Sequence, residues 1–147
     1  CYQRVEILDK GNMEGMTTKP MLALIVTGPG SLQNGLVALI TTMPQIHAVL
    51  VAEEATVALR MIADHRPALV LLDMILPRNG AGTILKEIKT RWPSTRCIAL
   101  ADDVQQQQEA EAAGADVVLI KGYPAARLIA AIEGVLSQEE EGGAYAD

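Results

Sequence analysis

Apolar residues gather in five short β-rich runs, at 21–27, 46–52, 68–73, 96–101 and 116–120, and the segments between them repeat their apolar positions at helical spacing. The order reads strand then helix, five times over. On the first helix Leu32, Leu36, Leu39, Ile40 and Met43 form a stripe, with Ser31 expected as its N-cap and Pro44 beyond its end. Ala55, Ala58, Leu59 and Ile62 predict the inner face of the second helix. Ile84, Leu85, Ile88 and Trp92 predict that of the third, which Pro93 stops. The fourth, from about Asp103 to Ala113, has little more than Val104 and alanines to bury, and Gly114 suits its C-terminal cap. The fifth starts near Pro124 and turns Leu128, Ile132, Val135 and Leu136 inward. Strands alternating with helices imply an α/β fold, a parallel sheet covered on both faces.

The flanks differ. Residues 1–20 mix charge, glycine and threonine without a sustained period and are expected to be a leader or linker. Residues 21–137 form the folded domain, and 138–147, with three consecutive glutamates, are expected to be an acidic tail or linker.

Composition narrows the functional classes. A chain of 147 residues, half of them hydrophobic, has room for one core. Its net charge of −6 argues against nucleic-acid binding, which needs a basic surface. No apolar run approaches the roughly 20 residues required to cross a bilayer, so no membrane association is expected. Cys97 falls inside a predicted strand, which fits a buried thiol in a reducing compartment, and the cytoplasm is the default expectation. His47 and His65 are too few and too scattered for a metal site or a catalytic triad.

In an open parallel sheet, ligands bind at the carboxyl ends of the strands. Those ends carry Thr27-Gly28, Ala52-Glu53, Asp73, Ala101-Asp102 and Lys121. The segment LVLLDMILPRNG brings Asp73 to the end of a strand apolar enough to be central, ahead of a turn over Pro77 to Gly80. GADVVLIK brings Lys121 to the end of the fifth, from where its ammonium can reach Asp73. Asp73 could instead merely cap the following turn, and Asp102 and Asp103 read first as caps of the fourth helix. Gly28-Pro29-Gly30 leaves a nucleotide-binding flavodoxin-like or Rossmann-like module as an alternative. Against it, Gln33 stands at the third glycine position and Pro29 removes a backbone donor.

LVLLDMILPRNG, CIALAD and GADVVLIK, in that order, resemble the receiver domains of bacterial two-component response regulators, and ALITTMPQIHAVLVAEEA resembles the branch with helix-turn-helix output domains. The resemblance spans about residues 21–137. It implies a flavodoxin-like (βα)5 fold with strand order 2-1-3-4-5, a phosphoacceptor at Asp73 and a phosphoryl-contacting lysine at Lys121. It also implies a histidine kinase or an output domain as partner, and a homodimer face built from the fourth helix, fifth strand and fifth helix.

Thr27, Gly28, Ala101 and Val118 depart from that pattern, and Gly122 does besides. The two acidic residues that hold Mg²⁺ after the first strand are replaced by Thr27 and Gly28, which leaves Asp73 and the Ile75 backbone as weak metal candidates. The hydroxyl expected after the fourth strand is Ala101, and the aromatic switch position is Val118. After Lys121, many receivers carry proline; here it is Gly122. The expectation is a non-enzymatic receiver with a degenerate phosphorylation site and no cofactor, acting through protein contacts. A working receiver, its Mg²⁺ rescued by Asp102 or Glu53, is the alternative.

Overall fold

A computed structural model describes residues 3–7, 21–75 and 80–144. Six strands form one sheet: β1 Gln3–Ile7, β2 Met21–Val26, β3 Ile46–Ala52, β4 Leu69–Asp73, β5 Arg96–Ala101 and β6 Val117–Ile120. The order across the sheet is β1-β3-β2-β4-β5-β6. The five strands β2 to β6 are mutually parallel, in the flavodoxin-like order 2-1-3-4-5 that the family resemblance implied.

The sixth strand lies within residues 1–20. Gln3–Ile7 pairs antiparallel with β3, from Gln3 opposite Ala52 to Ile7 opposite Ala48. Arg4-Val5-Glu6-Ile7 alternates polar and apolar residues, which is the strand period; over so few positions it passes for an irregular mixture.

Five helices cover the sheet: α1 Ser31–Ile40, α2 Ala55–His65, α3 Gly80–Arg91, α4 Val104–Ala113 and α5 Ala125–Ala144. Because side chains alternate along a strand, the sheet has two cores. Leu24, Val26, Leu50, Val70, Leu72, Cys97 and Ala99 face α2, α3 and α4, where Met61, Ile62, Ile84, Leu85, Ile88 and Ala110 meet them. Ala23, Ile25, Val49, Val51, Leu69, Leu71, Ile98, Leu100 and Leu119 face α1 and α5, against Leu36, Ile40, Leu128, Ile132, Val135 and Leu136. Burying so many branched aliphatic side chains, each contributing roughly 1.5–3 kcal/mol, supplies the driving force that a chain without phenylalanine must find elsewhere than in aromatic rings.

Some helical expectations shift. Ser31 is the first helical residue of α1 rather than its cap; Gly30 takes the cap position with φ 141°, a conformation that favours glycine. The inner face of α2 is Val57, Ala58, Met61 and Ile62, while Ala55 and Leu59 are only partly buried. Val104 is 57% exposed at the start of α4, and Ala110 carries that helix's buried contact. Asp103 does cap α4, accepting a hydrogen bond from the Gln106 N–H at 2.9 Å. The tail expected from 138 onward continues α5 as far as Ala144. Of the turn expected over Pro77 to Gly80, positions 77–79 lie outside the described residues, and Gly80 opens α3.

Candidate functional site at the carboxyl edge of the sheet

The parallel register brings the strand ends level: Val26 pairs with Ala52 and Leu72, Asp73 with Leu100, and Ala101 with Ile120. Period-two alternation then selects what faces the mouth on the α1/α5 side. Thr27 follows Ala23 and Ile25, Glu53 follows Val49 and Val51, Asp73 follows Leu69 and Leu71, Asp102 follows Ile98 and Leu100, and Lys121 follows Leu119. Five polar residues thus continue five apolar rows on one face.

The sequence pairs Asp73 with Lys121, and the structure does so too. Lys121 Nζ donates to Asp73 Oδ1 at 2.6 Å. The same oxygen accepts the Ile75 N–H at 3.1 Å, so Asp73 caps its turn and pairs with the lysine at once. Asp73 is 4% exposed, which makes an ion partner obligatory for its charged form. Ile75 therefore meets the carboxylate through its N–H, and its side chain is exposed.

A second carboxylate shares the lysine. Asp102 Oδ1 lies 2.9 Å from Lys121 Nζ, so one ammonium joins the ends of β4, β5 and β6. Asp102 is fixed from its other side as well, its N–H donating to Gln106 Oε1 at 2.7 Å. Burial pulls the Lys121 ammonium toward deprotonation, but the hydrogen bonds it donates to Asp73 and Asp102 and the charges of those carboxylates outweigh it, and its pKa stands above the ordinary 10.5. Tyr123 is also shifted upward, by burial first; Lys121 opposes this and the Asp73 charge adds to it. The cluster carries one excess negative charge.

Gln33 belongs to the site and was missed by the sequence reading, which saw in it only an absent glycine. It is 4% exposed on the inner face of α1. Its Nε2 donates to three oxygens: Glu53 Oε2 at 3.0 Å and the carbonyls of Thr27 and Gly28, each at 3.3 Å. The Thr27 hydroxyl donates to the Gly28 carbonyl at 2.8 Å. The spacing of Gln33 with Leu36 and Ile40, all buried, is the signal that could have found it.

Gly28, Pro29, Gly30, Leu32, Tyr123 and the Asp73–Lys121 pair line an open cleft of about 730 Å³. Gly122 holds φ 102°, which proline at that position could not adopt. Ala101 is fully buried and offers no hydroxyl, and Val118 packs against the α2/α3/α4 core.

Divalent metal ions in such mouths require carboxylate oxygens. Among the described residues no group of three or more His, Cys, Asp or Glu side chains is placed to hold one. At the end of β2 the Thr27 hydroxyl and the Gln33 amide NH₂ both act as proton donors, and the Glu53 carboxylate that reaches them is taken up by that amide, so the residues there do not fit Mg²⁺. No helix among the described residues is long and apolar enough to cross a membrane.

Comparison with known proteins bears on this geometry. The profile of the family described as "Response regulator receiver domain" matches residues 24–133. No curated protein matches the sequence. Among solved structures, the signal receiver domain of an HD domain-containing protein from Pseudomonas fluorescens Pf-5 is similar, with a TM-score of 0.79 and 23% identity, covering 91% of this chain and 99% of that one. The receiver domain of NtrX from Brucella abortus is 26% identical with a TM-score of 0.71, covering 78% of this chain and 98% of that one. In a longer NtrX structure from the same organism, the likeness covers 88% of this chain but 29% of that one, at 24% identity and a TM-score of 0.77.

Proposed function

The chain belongs to the response regulator receiver family of two-component signalling, and on that premise we propose that its phosphorylation site is degenerate and that the domain works by protein contact. The observation that carries this reading is the ion cluster at Asp73. Phosphoryl transfer is mostly positioning and charge neutralisation, and a divalent ion supplies much of both. Here Lys121 neutralises Asp73 directly, Thr27 and Gly28 add no carboxylate, and Ala101 adds no hydroxyl. The two acids that could rescue a metal are engaged elsewhere, Asp102 by Lys121 and Glu53 by Gln33. Asp73 then serves as one half of a structural pair, no enzymatic step is assigned to the domain, and no cofactor is needed.

The partner in this reading is a histidine kinase, or an output domain, in the cytoplasm. A second copy of the domain would meet it over α4, β6 and α5. Val104 on α4 and Ile120 at the end of β6 support that face, as exposed large aliphatic residues of those elements. The glycine loop serves as a turn, because Pro29 has no N–H to offer a nucleotide phosphate.

Incubation with a small phosphodonor and Mg²⁺, followed by intact mass, tests the proposal. The expected mass is unchanged. A stable adduct that disappears in Asp73→Asn restores the working-receiver reading.

A further inference from the structure

The corner where β2 ends presents a question that degeneracy alone does not answer. Two backbone carbonyls, Thr27 and Gly28, and the Glu53 carboxylate converge on one point. Oxygen atoms crowded together repel, and in proteins such a convergence is relieved by a cation or by hydrogen-bond donors. The point of convergence is Gln33 Nε2, with two protons to share among three acceptors. Gln33 is nearly fully buried, so it is held there by packing rather than by chance contact.

We propose that the Gln33 amide is a built-in replacement for a cation, tying the β2–α1 loop to the β3–α2 loop. This rests on the metal-free reading of the site and adds its cause: the donor comes from α1, so the loop geometry no longer depends on any ion. Gln33 is accordingly a positioning residue. The replacement is one-sided in charge, because an amide supplies protons without a formal positive charge, and Glu53 keeps its negative charge.

The side-chain chemistry makes the idea reversible. Gln33→Glu keeps the length and removes both donors, leaving two carboxylates and two carbonyls around one point. Such an all-oxygen set with flexible geometry suits Ca²⁺ more than Mg²⁺. Gln33→Met keeps the approximate shape and removes every donor.

The test is thermal unfolding of the full chain, followed by circular dichroism, with and without CaCl₂ or MgCl₂ at constant ionic strength. Wild type should not respond to either ion. Gln33→Met should melt several degrees lower, and Gln33→Glu should melt lower still in EDTA and rise with calcium in a saturable way that Glu53→Gln in the same chain abolishes. If Gln33→Glu does not fold in EDTA, recovery of helical signal on adding calcium is the expected result. A Gln33→Met protein as stable as wild type, or a Gln33→Glu protein indifferent to both ions, overturns the proposal. A wild type stabilised by Mg²⁺ overturns the metal-free reading instead, and the two failures are distinguishable.

Discussion

The two ends of the sheet carry ion clusters of opposite stoichiometry. At the carboxyl edge one cation, Lys121, serves two carboxylates. At the other end one carboxylate, Asp116, serves two cations: Lys89 Nζ at 2.9 Å and Arg96 Nη1 at 3.6 Å, and it also accepts the Cys97 N–H at 2.8 Å. Lys89 donates further to the carbonyls of Thr95, at 2.9 Å, and Pro93, at 3.2 Å. That base cluster ties the end of α3 and the start of β5 to the residue preceding β6 and directs its donors into the backbone, as a structural staple does. The mouth cluster binds side chain to side chain around a cleft, with Asp102 turned partly to water. At the base of the fold the ionic groups are taken up largely by the main chain; around the cleft they answer one another.

The sharpest way to break this contrast is at the base. Asp116→Ala takes the shared carboxylate from Lys89, Arg96 and the Cys97 N–H together and should cost about 3 kcal/mol, read from urea unfolding. Lys121→Met leaves the buried Asp73 carboxylate with the Ile75 N–H and, among the described residues, no counter-ion, and should cost about 2 kcal/mol by the same measurement. If the second loss exceeds the first, the mouth is the stronger fastening.

Alkaline pH separates the ends without mutation. Burial pushes the Cys97 thiol up to about 12 from 9.0, helped by Asp116 and opposed by Lys89. The unfolded chain therefore releases this proton first, and stability should fall as pH rises above 9.0. Lys121 is raised above 10.5, so its contribution is complete below that value and is lost as pH climbs through the folded-state value. A melting-temperature profile should thus decline in two stages, with Cys97→Ala flattening the first and Lys121→Met the second. The smallest effect belongs to Asp102→Asn. This side chain is 37% exposed, and a partly solvated pair should change stability by no more than about 0.5 kcal/mol; a larger loss would make Asp102 as structural as Asp116.

Much of this arrangement was legible in the residues. The five apolar runs place the parallel strands, and alternation from Leu69 through Leu71 to Asp73, and from Leu119 to Lys121, already sets the pair on one face. What escaped depends on context that periodicity does not carry. The grip of Asp102 on Lys121 follows from the path of the chain after β5. Gln33 escaped because glutamine reads as a surface residue, although its place beside Leu36 and Ile40 is an inner one. The face of α2 was rotated because Ala55 and Leu59 keep the helical period as well as Val57 and Met61 do; only the neighbouring sheet decides between them. Strand β1 escaped because its alternation is four residues long and its partner strand is distant in sequence.

Trp92, the single tryptophan of the chain, lies just past α3, 7% exposed, with the Arg91 guanidinium 4.6 Å and that of Arg66 5.9 Å from its ring. The chain therefore carries one tryptophan, outside the lining of the cleft and flanked by positive charge. Its emission will report the loosening of the α3 end and remain silent to substitutions around Asp73, giving an optical readout that distinguishes damage to the scaffold from changes in the mouth.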